Sequence, residues 1–387
     1  MLTDLSPEEQ AVLEELKMRT IDCVTPKMLE DNYLFFRFAK AREFNIPEAE
    51  TMLRKHVCWR KEFGIDTILI DYKPPEVLVK YVGTCLMCFD KEGSTVRYVD
   101  CGQTDIKGLL NCATNQDNLK YYLYRIEQDL EALRKRNKKK QRFLPIFDFE
   151  NLPYAIVTNM KVLRHCLYVL KAYVDNYPEL LKCAFVINAP FYFLWGFNVL
   201  KQVLPDTVLE KVQIYGTDGW REQLLEQIDA DVLPAFLGGN KRDPDGNPQC
   251  KTFVKRGEQI PKSYYMKNQK KKMEGNFKKM TILPFRKEVI SFDIKETNSN
   301  LEWEYEIKSG DIDFSLHFTG ETTDPVELIP KQRISTYDES EKGFFKCDKV
   351  GTYTIVLDNS YSWIYSKEVY YKAAIKPPRL CKNGELQ

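Results

Sequence analysis

An uncharged segment of 18 residues, CAFVINAPFYFLWGFNVL, runs from Cys183 to Leu200 between two lysines. Its length reaches the lower limit for a membrane-spanning helix. Pro190 divides the segment, because proline lacks an amide donor and disfavours helix at the residue before it. We therefore predict a short buried strand over 184–189 and a helix over 191–204. A helix of that length extends about 21 Å, which is too short to cross a hydrocarbon core of about 30 Å.

Apolar residues surround almost the whole circumference of this predicted helix, whereas a surface helix normally has one apolar stripe. They are Phe191, Tyr192, Phe193, Leu194, Trp195, Phe197, Val199, Leu200, Val203 and Leu204. Two interpretations remain open from the pattern. The helix is either fully buried in a core, or it turns one face to an internal cavity and the other to a membrane or a bound lipid.

The sequence before this segment predicts a helical region followed by an α/β region. Ser6, Pro7 and Glu9 form a capping box, and helices are predicted over 27–44 and 47–64, with Gly64 ending the latter. A hairpin follows over 81–102, then a helix over 117–136, the strand RFLPIFDFENL and the helix VTNMKVLRHCLYVLKAYVDNYPE. Strands that alternate with helices indicate a mostly parallel sheet covered by helices.

The sequence after residue 240 changes character. The segment DVLPAFLGGNKRDPDGNPQC is rich in Pro, Gly, Asp and Asn, which marks a domain boundary. In the last hundred residues apolar side chains alternate with polar ones, as in Trp303, Tyr305 and Ile307. This period of two predicts an antiparallel β-sandwich.

Composition excludes several classes of protein. Hydrophobic residues make up 43% of the chain and charged residues 29%, so neither a disordered nor an integral membrane protein is indicated. The formal net charge of +1 argues against a dedicated nucleic-acid-binding protein. The N-terminus lacks the features of a signal peptide, the 11 cysteines are irregularly spaced, and no Asn-x-Ser/Thr acceptor occurs. We therefore expect a cytoplasmic protein.

Catalytic and metal-binding motifs are missing. There is no dinucleotide-binding glycine motif, Walker A motif, nucleophile elbow or zinc-protease motif. His56, His165 and His317 fall in separate regions, which favours packing or surface roles. Cys85 and Cys88 lie inside an apolar run, where two buried thiols are more plausible than a redox pair. No metal and no cofactor is therefore expected.

Two basic runs allow alternative interpretations. Residues 134–142, RKRNKKKQR, either form a solvated helix terminus or attract anionic lipid headgroups. Residues 267–272, KNQKKK, are either a flexible linker or a similar headgroup-binding segment. The sequence does not choose between these interpretations.

Three segments of the chain resemble a known family. The segment DNYPELLKCAFVINAPFYFLWGFNVLKQVLPDTVLEKVQIYG, from Asp175 to Gly216, resembles the core signature of the CRAL-TRIO lipid-binding domain. The segment FFRFAKAREFNIPEAETMLRKHVCWRKEFGID resembles its helical leader, and GTYTIVLDNSYSWIYSKEV resembles a C-terminal GOLD β-sandwich. The resemblance implies a helical leader over 1–72, a CRAL-TRIO domain over 73–242, a linker over 243–276 and a GOLD domain over 277–387.

The resemblance also implies a function. The chain is expected to be no enzyme but to hold one hydrophobic molecule, such as phosphatidylinositol, tocopherol or squalene, and to transfer or present it during transient contact with membranes. The helix after Pro190 becomes a mobile gate helix over the pocket. The residues assigned to gate and pocket are Phe191, Phe193, Leu194, Trp195, Phe197, Leu200, Phe185, Ile187 and Ile146. The alternative is a lipid-sensing adaptor whose GOLD domain recruits a trafficking or Golgi protein.

Matching the family's motifs assigns three charged residues to a phospholipid headgroup. They are the arginine of KAREF, Arg42, the glutamate of NYPEL, Glu179, and the lysine of TVLEKV, Lys211. The position beside Arg42 is basic in the family's motif but is Glu43 in this chain. A carboxylate at that position works against the binding of an anion.

Overall fold

The computed structural model describes residues 5–136, 142–265, 276–308, 310–320, 324–336 and 340–377. It divides into two compact units, one comprising Met1–Leu152 and Arg164–Met266, the other Pro153–Leu163 and Lys267–Gln387. The basic run 267–272 lies outside the described residues, as do the central residues 137–141 of the run 134–142.

The chain begins with the predicted helical region. Helix α1 (Pro7–Thr20) starts at the expected capping box: the Glu9 amide donates to Ser6 Oγ at 3.2 Å, and the Ser6 amide donates to Glu9 Oε2 at 2.9 Å. The single helix predicted over 27–44 is wrong, since α2 (Pro26–Leu29) and α3 (Leu34–Lys40) are separate. Between them the carboxylate of Asp31 accepts a hydrogen bond from the Tyr33 amide at 2.9 Å and pairs with Arg37. A local side-chain acceptor of this kind competes with helix.

Helix α4 (Ile46–Phe63) ends at Gly64, as predicted, and Gly64 adopts the left-handed conformation with φ +63°. The chain continues with α5 (Ile68–Asp71), α6 (Glu76–Tyr81), β1 (Thr84–Phe89), β2 (Thr95–Asp100), α7 (Ile106–Cys112), α8 (Asn115–Lys135), β3 (Phe143–Asp148), α9 (Tyr154–Val157), α10 (Met160–Asn176), β4 (Ala184–Ile187), α11 (Phe193–Leu200), α12 (Asp206–Leu209), β5 (Val212–Ile214) and α13 (Trp220–Gln227).

The first unit is built on a five-stranded sheet in the order β1-β2-β3-β4-β5. Strands β1 and β2 form the predicted antiparallel hairpin, and β2 to β5 run parallel to one another. The fold class predicted from alternating strands and helices is confirmed for this region. The helix predicted from residue 157 instead begins at Met160, because the Asn159 side chain accepts from the amides of Lys161 and Val162, both at 3.0 Å.

The second unit is the predicted antiparallel β-sandwich. Its strands are β6 (Lys278–Ile282), β7 (Lys287–Ile294), β8 (Ser299–Ile307), β9 (Asp311–Thr319), β10 (Val326–Ser335), β11 (Glu341–Cys347), β12 (Gly351–Asp358) and β13 (Lys367–Lys376). One sheet has the order β10-β9-β12-β7 and the other β11-β8-β13-β6. The alternating residues of β8 turn inward, and Trp303 packs on Phe314 of the opposite sheet with ring centroids 5.3 Å apart.

Among the described residues, every helix is too short or too polar to span a bilayer.

Candidate functional site

One face of the five-stranded sheet is closed by packed side chains. Tyr98, Ile146 and Phe185 lie beside one another on β2, β3 and β4. They and Ile187 are fully buried in one core cluster that includes Trp220 of α13. The sequence assigned Ile146, Phe185 and Ile187 to a pocket. The structure places them on this closed face, where almost no side-chain surface remains accessible.

The opposite face of the sheet is only partly covered. Val99, Phe147, Val186 and Ile214 follow one another across β2, β3, β4 and β5. Val186 is buried, but Val99 and Phe147 are half-buried and Ile214 is exposed. We call this the open face. Apolar side chains that keep accessible surface in the middle of a sheet indicate a space beside it.

Four further side chains are surrounded by protein and still keep some accessible surface. Cys101, Tyr122, Cys166 and Tyr173 keep accessible surface, yet burial raises the pKa of Cys166 to about 11. Burial likewise raises the pKa of Cys101, Tyr122 and Tyr173 above the usual range of thiols and phenols. A group that is surrounded by protein atoms and still has accessible surface lies on the wall of a cavity or narrow cleft.

Helix α10 follows the length of this space. Cys166 and Tyr173 are seven residues apart, so they share one face of the helix and are separated by about 10 Å along its axis. Leu170 lies between them on the same face and is half-buried. Near Cys166 the rings of Tyr122 and His165 lie 6.3 Å apart. At Tyr173 burial raises the pKa of the phenol, the charge of Arg37 lowers it and the charge of Glu179 raises it.

Helix α11 is neither a core helix nor an ordinary surface helix. Within it only Phe193 and Gly196 are buried, so the interpretation of a fully buried helix is wrong. Phe193 packs against Phe149, which follows β3, with ring centroids 4.5 Å apart, and it stacks on Phe197 at 5.7 Å. Trp195 and Leu200 are half-buried.

The outward side of this region is apolar as well. Phe191, which precedes α11, and Leu194, in its first turn, are both exposed. The helix starts at Phe193 rather than at Phe191, because the Phe193 amide donates to the Pro190 carbonyl at 2.8 Å in a preceding turn. It ends at Leu200 and continues as a 3₁₀ turn, Lys201–Val203.

The connection from β4 to α11 is anchored to the sheet. Asn188 adopts the left-handed conformation with φ +54°, and its side-chain amide donates to Asp148 Oδ1 at 2.8 Å. The Tyr192 hydroxyl donates to the Leu152 carbonyl at 2.5 Å. Two hydrogen bonds, from Asn188 and Tyr192, thus anchor the segment that precedes α11. Within α11 itself, Phe193 makes apolar contacts with Phe149 and Phe197.

Glu179 lies between two lysines. Its Oε2 is 2.9 Å from Lys40 Nζ and 3.9 Å from Lys211 Nζ. The structure thus brings together Glu179 and Lys211 of the three headgroup residues assigned from the sequence. Arg42 Nη1 donates to the Ala41 carbonyl at 2.8 Å. The base from the helical leader that contacts Glu179 is Lys40, two residues earlier in the same motif.

Two carboxylate-bearing residues of this region have an uncommon backbone conformation. Glu179 has φ +58° and Glu43 has φ +49°. The left-handed region costs a residue other than glycine roughly 1 kcal/mol. At Glu179 this conformation accompanies a carboxylate that lies between Lys40 and Lys211.

Sequence reasoning missed a buried acidic network beside the start of α11. Asp148 accepts hydrogen bonds from Tyr98 at 2.7 Å and from Arg256 at 3.3 Å, in addition to the bond from Asn188. Arg256 also lies 3.7 Å from Asp100, and burial raises the pKa of the Asp100 carboxyl. These residues are distant in sequence, and no local pattern connects them.

Among the side chains considered for catalysis or metal binding, His56 and Cys88 lie in surroundings typical of a structural role. His56 Nδ1 lies 3.0 Å from Asn176 Oδ1, and burial lowers its pKa to about 3. Burial raises the pKa of Cys88 to about 12, the opposite of what a reactive thiol requires. Within the described part of the chain, no group of His, Cys, Asp or Glu is arranged to hold a metal ion.

Comparison with known proteins connects this geometry to a family. Residues 80–239 match the family model of the CRAL/TRIO domain. Protein ctg-1 of Caenorhabditis elegans is 27% identical over 384 residues, which cover 96% of this chain and 99% of the relative. The crystal structure of Sfh5 superposes with a TM-score of 0.50 at 17% identity, covering 65% of this chain and 93% of Sfh5, and supports the fold alone.

The matched residues begin within helix α6 and end at residue 239, so they contain the sheet, α10 and α11. CRAL/TRIO proteins bind lipids or other lipophilic molecules. The C-terminal β-sandwich is consistent with the GOLD domain implied by the sequence resemblance. Residues 80–239 are therefore similar to the CRAL/TRIO domain, whose family model they match.

Proposed function

We propose that the chain binds one hydrophobic molecule against the open face and carries it between membranes, with α11 as the gate helix. The observation that carries the proposal is the set of lining side chains, Cys101, Tyr122, Cys166 and Tyr173, which are enclosed by protein yet keep accessible surface. A pocket walled by apolar groups with a few hydroxyls and thiols suits a lipid, a tocopherol or squalene.

The energetics of an enclosed apolar space favour an occupied site. A lipid-sized cavity of about 500 Å³ that stayed empty and dry would cost on the order of 12 kcal/mol at about 24 cal/mol per Å³. That amount rivals the stability of a whole domain. The chain therefore either keeps a ligand in the space or lets α11 collapse into it, and catalysis plays no part in this function.

The ionic cluster at the end of α10 provides a place for a charged headgroup. Lys40 and Lys211 share a single carboxylate, Glu179, so an anionic phosphate or inositol phosphate can replace one of these contacts without burying an unpaired lysine. Arg42 is close in sequence and adds a further base. On this basis we propose phosphatidylinositol as the phospholipid that the chain binds. The carboxylate of Glu43 is expected to reduce the affinity of the chain for this lipid.

The test is the identification of the ligand in freshly purified protein. Native mass spectrometry and solvent extraction are expected to find one lipid per chain, and vesicles are expected to exchange it. Cys166→Trp fills the lined space and is expected to lower ligand content at least about tenfold while the protein stays folded. Tyr168→Trp is the matched control, because Tyr168 lies on the outer face of α10 and is exposed.

Two results would contradict the proposal. The first is protein that carries no lipid and takes up neither phosphatidylinositol nor tocopherol nor squalene. The second is a ligand content of Cys166→Trp equal to that of Tyr168→Trp. Replacing both Lys40 and Lys211 with Met tests the headgroup site independently of the pocket. Uptake of phosphatidylinositol should fall, whereas uptake of tocopherol should not.

A further inference from the structure

Two loops at one end of the β-sandwich carry exposed apolar side chains. Loop 283–286 joins β6 to β7, and loop 359–366 joins β12 to β13. Strand pairing places both loops at the same end, because Ile282 pairs with Lys367 and Asp358 pairs with Lys287. The apolar tip, as we call it, consists of Leu283, Phe285, Trp363, Ile364 and Tyr365, which are between 57% and 80% exposed.

Buried polar groups hold this tip in place. Asn359 is fully buried, and its side-chain amide donates to the carbonyls of Ile282 at 3.2 Å and Tyr365 at 3.0 Å. Its backbone amide donates to the Arg286 carbonyl at 2.9 Å and so joins the two loops. The Ser362 hydroxyl donates to the Tyr365 carbonyl at 2.9 Å. The longer loop is therefore ordered by its own polar side chains.

This arrangement inverts the usual distribution of residues in a loop. Asn359 and Ser362 point inward, while the three bulky apolar side chains between Ser362 and Ser366 point into solvent. Phe285 adopts the left-handed conformation with φ +61° and meets Trp363 edge to face, with ring centroids 5.6 Å apart. An ordered, contiguous apolar surface of this kind is typical of a binding site.

The chemistry around the tip indicates its partner. Loops 283–286 and 359–366 contain Arg286 and no acidic residue, and Lys287 follows the first of them. Asp358, which is opposite Lys287, forms an ion pair with Lys331 at 2.7 Å. Arg286 and Lys287 are exposed directly beside Phe285. Trp and Tyr are the side chains that favour the interface between water and lipid. Apolar insertion combined with basic contacts is the pattern by which peripheral proteins bind anionic membranes.

We propose that the apolar tip inserts into the surface of anionic membranes and is a second membrane contact, separate from α11. A bilayer accepts a projecting loop without offering a complementary pocket, and its headgroups match the charge of Arg286 and Lys287. The tip thereby gives the β-sandwich a lipid-binding role that does not require the ligand of the CRAL/TRIO domain.

The test uses the full chain and vesicles of phosphatidylcholine with and without phosphatidylserine. Replacing Trp363 and Ile364 together with Ser is expected to weaken binding to the anionic vesicles by at least about tenfold, because both side chains leave water when they insert. Val350→Ser is the matched control. Val350 is 54% exposed in the turn before β12, at the opposite end of that strand from the tip, and its replacement should leave binding unchanged.

Charge and position are tested by two further variants. Replacing Arg286 and Lys287 with Gln should weaken binding to phosphatidylserine vesicles and reduce its sensitivity to salt, with little effect on neutral vesicles. Trp363→Phe should keep the binding but remove the quenching of tryptophan fluorescence that brominated lipids cause at this loop. This variant preserves an aromatic side chain, so it answers the question even if the double variant misfolds.

The outcomes separate this proposal from the function of the pocket. Vesicle binding that is the same for the Trp363 and Ile364 double variant and for Val350→Ser overturns it. Loss of a bound protein partner from the double variant, with vesicle binding retained, also overturns it and makes the tip a protein interface. Ligand content should stay unchanged in all tip variants, whereas failure of the pocket proposal would appear as absent ligand in the unmodified protein.

Discussion

If α11 is the gate helix that we propose, the outward apolar surface at its start should determine how strongly this region binds membranes. Phe191 is 65% exposed and Leu194 is 49% exposed. Full burial of such side chains contributes about 1.5 to 3 kcal/mol each, so the exposed fractions together are worth about 1.7 to 3.4 kcal/mol on entering lipid. Replacing both with Ser should therefore weaken vesicle binding by about 15- to 250-fold, since 1.4 kcal/mol corresponds to a factor of ten.

The assay is flotation with phosphatidylcholine vesicles, combined with transfer of a fluorescent lipid. The stability of the double variant should change by less than about 0.5 kcal/mol, because the replaced surface already faces water. Phe193→Ser is the contrasting variant. Because Phe193 is buried against Phe149, its replacement should lower the free energy of unfolding by about 3 kcal/mol or more. Equal vesicle binding by the Phe191 and Leu194 double variant and the unmodified protein would refute the reasoning. The structure favours these two positions over Trp195 and Phe197, which are half-buried.

Three other perturbations have defined outcomes. Arg256→Met leaves Asp148 buried beside a second carboxylate and should destabilise the protein by about 3 to 5 kcal/mol in denaturant unfolding; a loss below 1 kcal/mol would show that the network contributes little. Burial lowers the pKa of His165 to about 4, so the unfolded chain binds a proton between pH 4 and 6.5 that the folded chain does not. Stability is complete above pH 6.5, and at pH 4.5 His165 should lower it by about 2.5 kcal/mol, in addition to the loss caused by His56, whose pKa burial lowers to about 3. His165→Gln, which can still reach Asn115, should remove the His165 part of this loss and leave the His56 part, as measured by urea titrations at both pH values. Glu43→Lys restores a base beside the headgroup cluster and should raise the affinity for phosphatidylinositol about tenfold without changing that for tocopherol, as measured by competitive displacement; an equal change for both ligands would contradict the assignment.

Local patterns in the sequence predicted the elements and their classes well. The capping box at Ser6, the left-handed Gly64 and the break at Pro190 each depend on a few neighbouring residues, and the structure confirms all three. The predicted helix over 27–44 failed because Asp31 bonds to the Tyr33 amide, a local interaction that hydrophobic periodicity does not report.

The candidate site was less predictable because it depends on which side of each element meets which neighbour. Strand β3 has apolar residues on both faces, so from the sequence Ile146 and Phe147 are equally good candidates for lining a pocket. Only the position of α13 shows that Ile146 is covered. The same limit applies to Lys40 and Arg42, where the choice depends on how the end of α3 meets Glu179. Period and composition define an element's faces, but tertiary packing decides their roles.

The apolar circumference of α11 has a physical explanation in the two environments that a gate meets. If the helix opened in water, Phe193 and the covered parts of Trp195, Phe197 and Leu200 would become exposed, at a cost of about 1.5 to 3 kcal/mol for each fully buried side chain. If it opened against a bilayer, the same surfaces would pass into lipid and this cost would largely disappear, while Phe191 would also leave water. Under the proposed gate function, the hydrophobic effect alone would therefore couple opening to membrane contact. Exchange of the ligand should accordingly increase with vesicle concentration and remain slow in vesicle-free buffer.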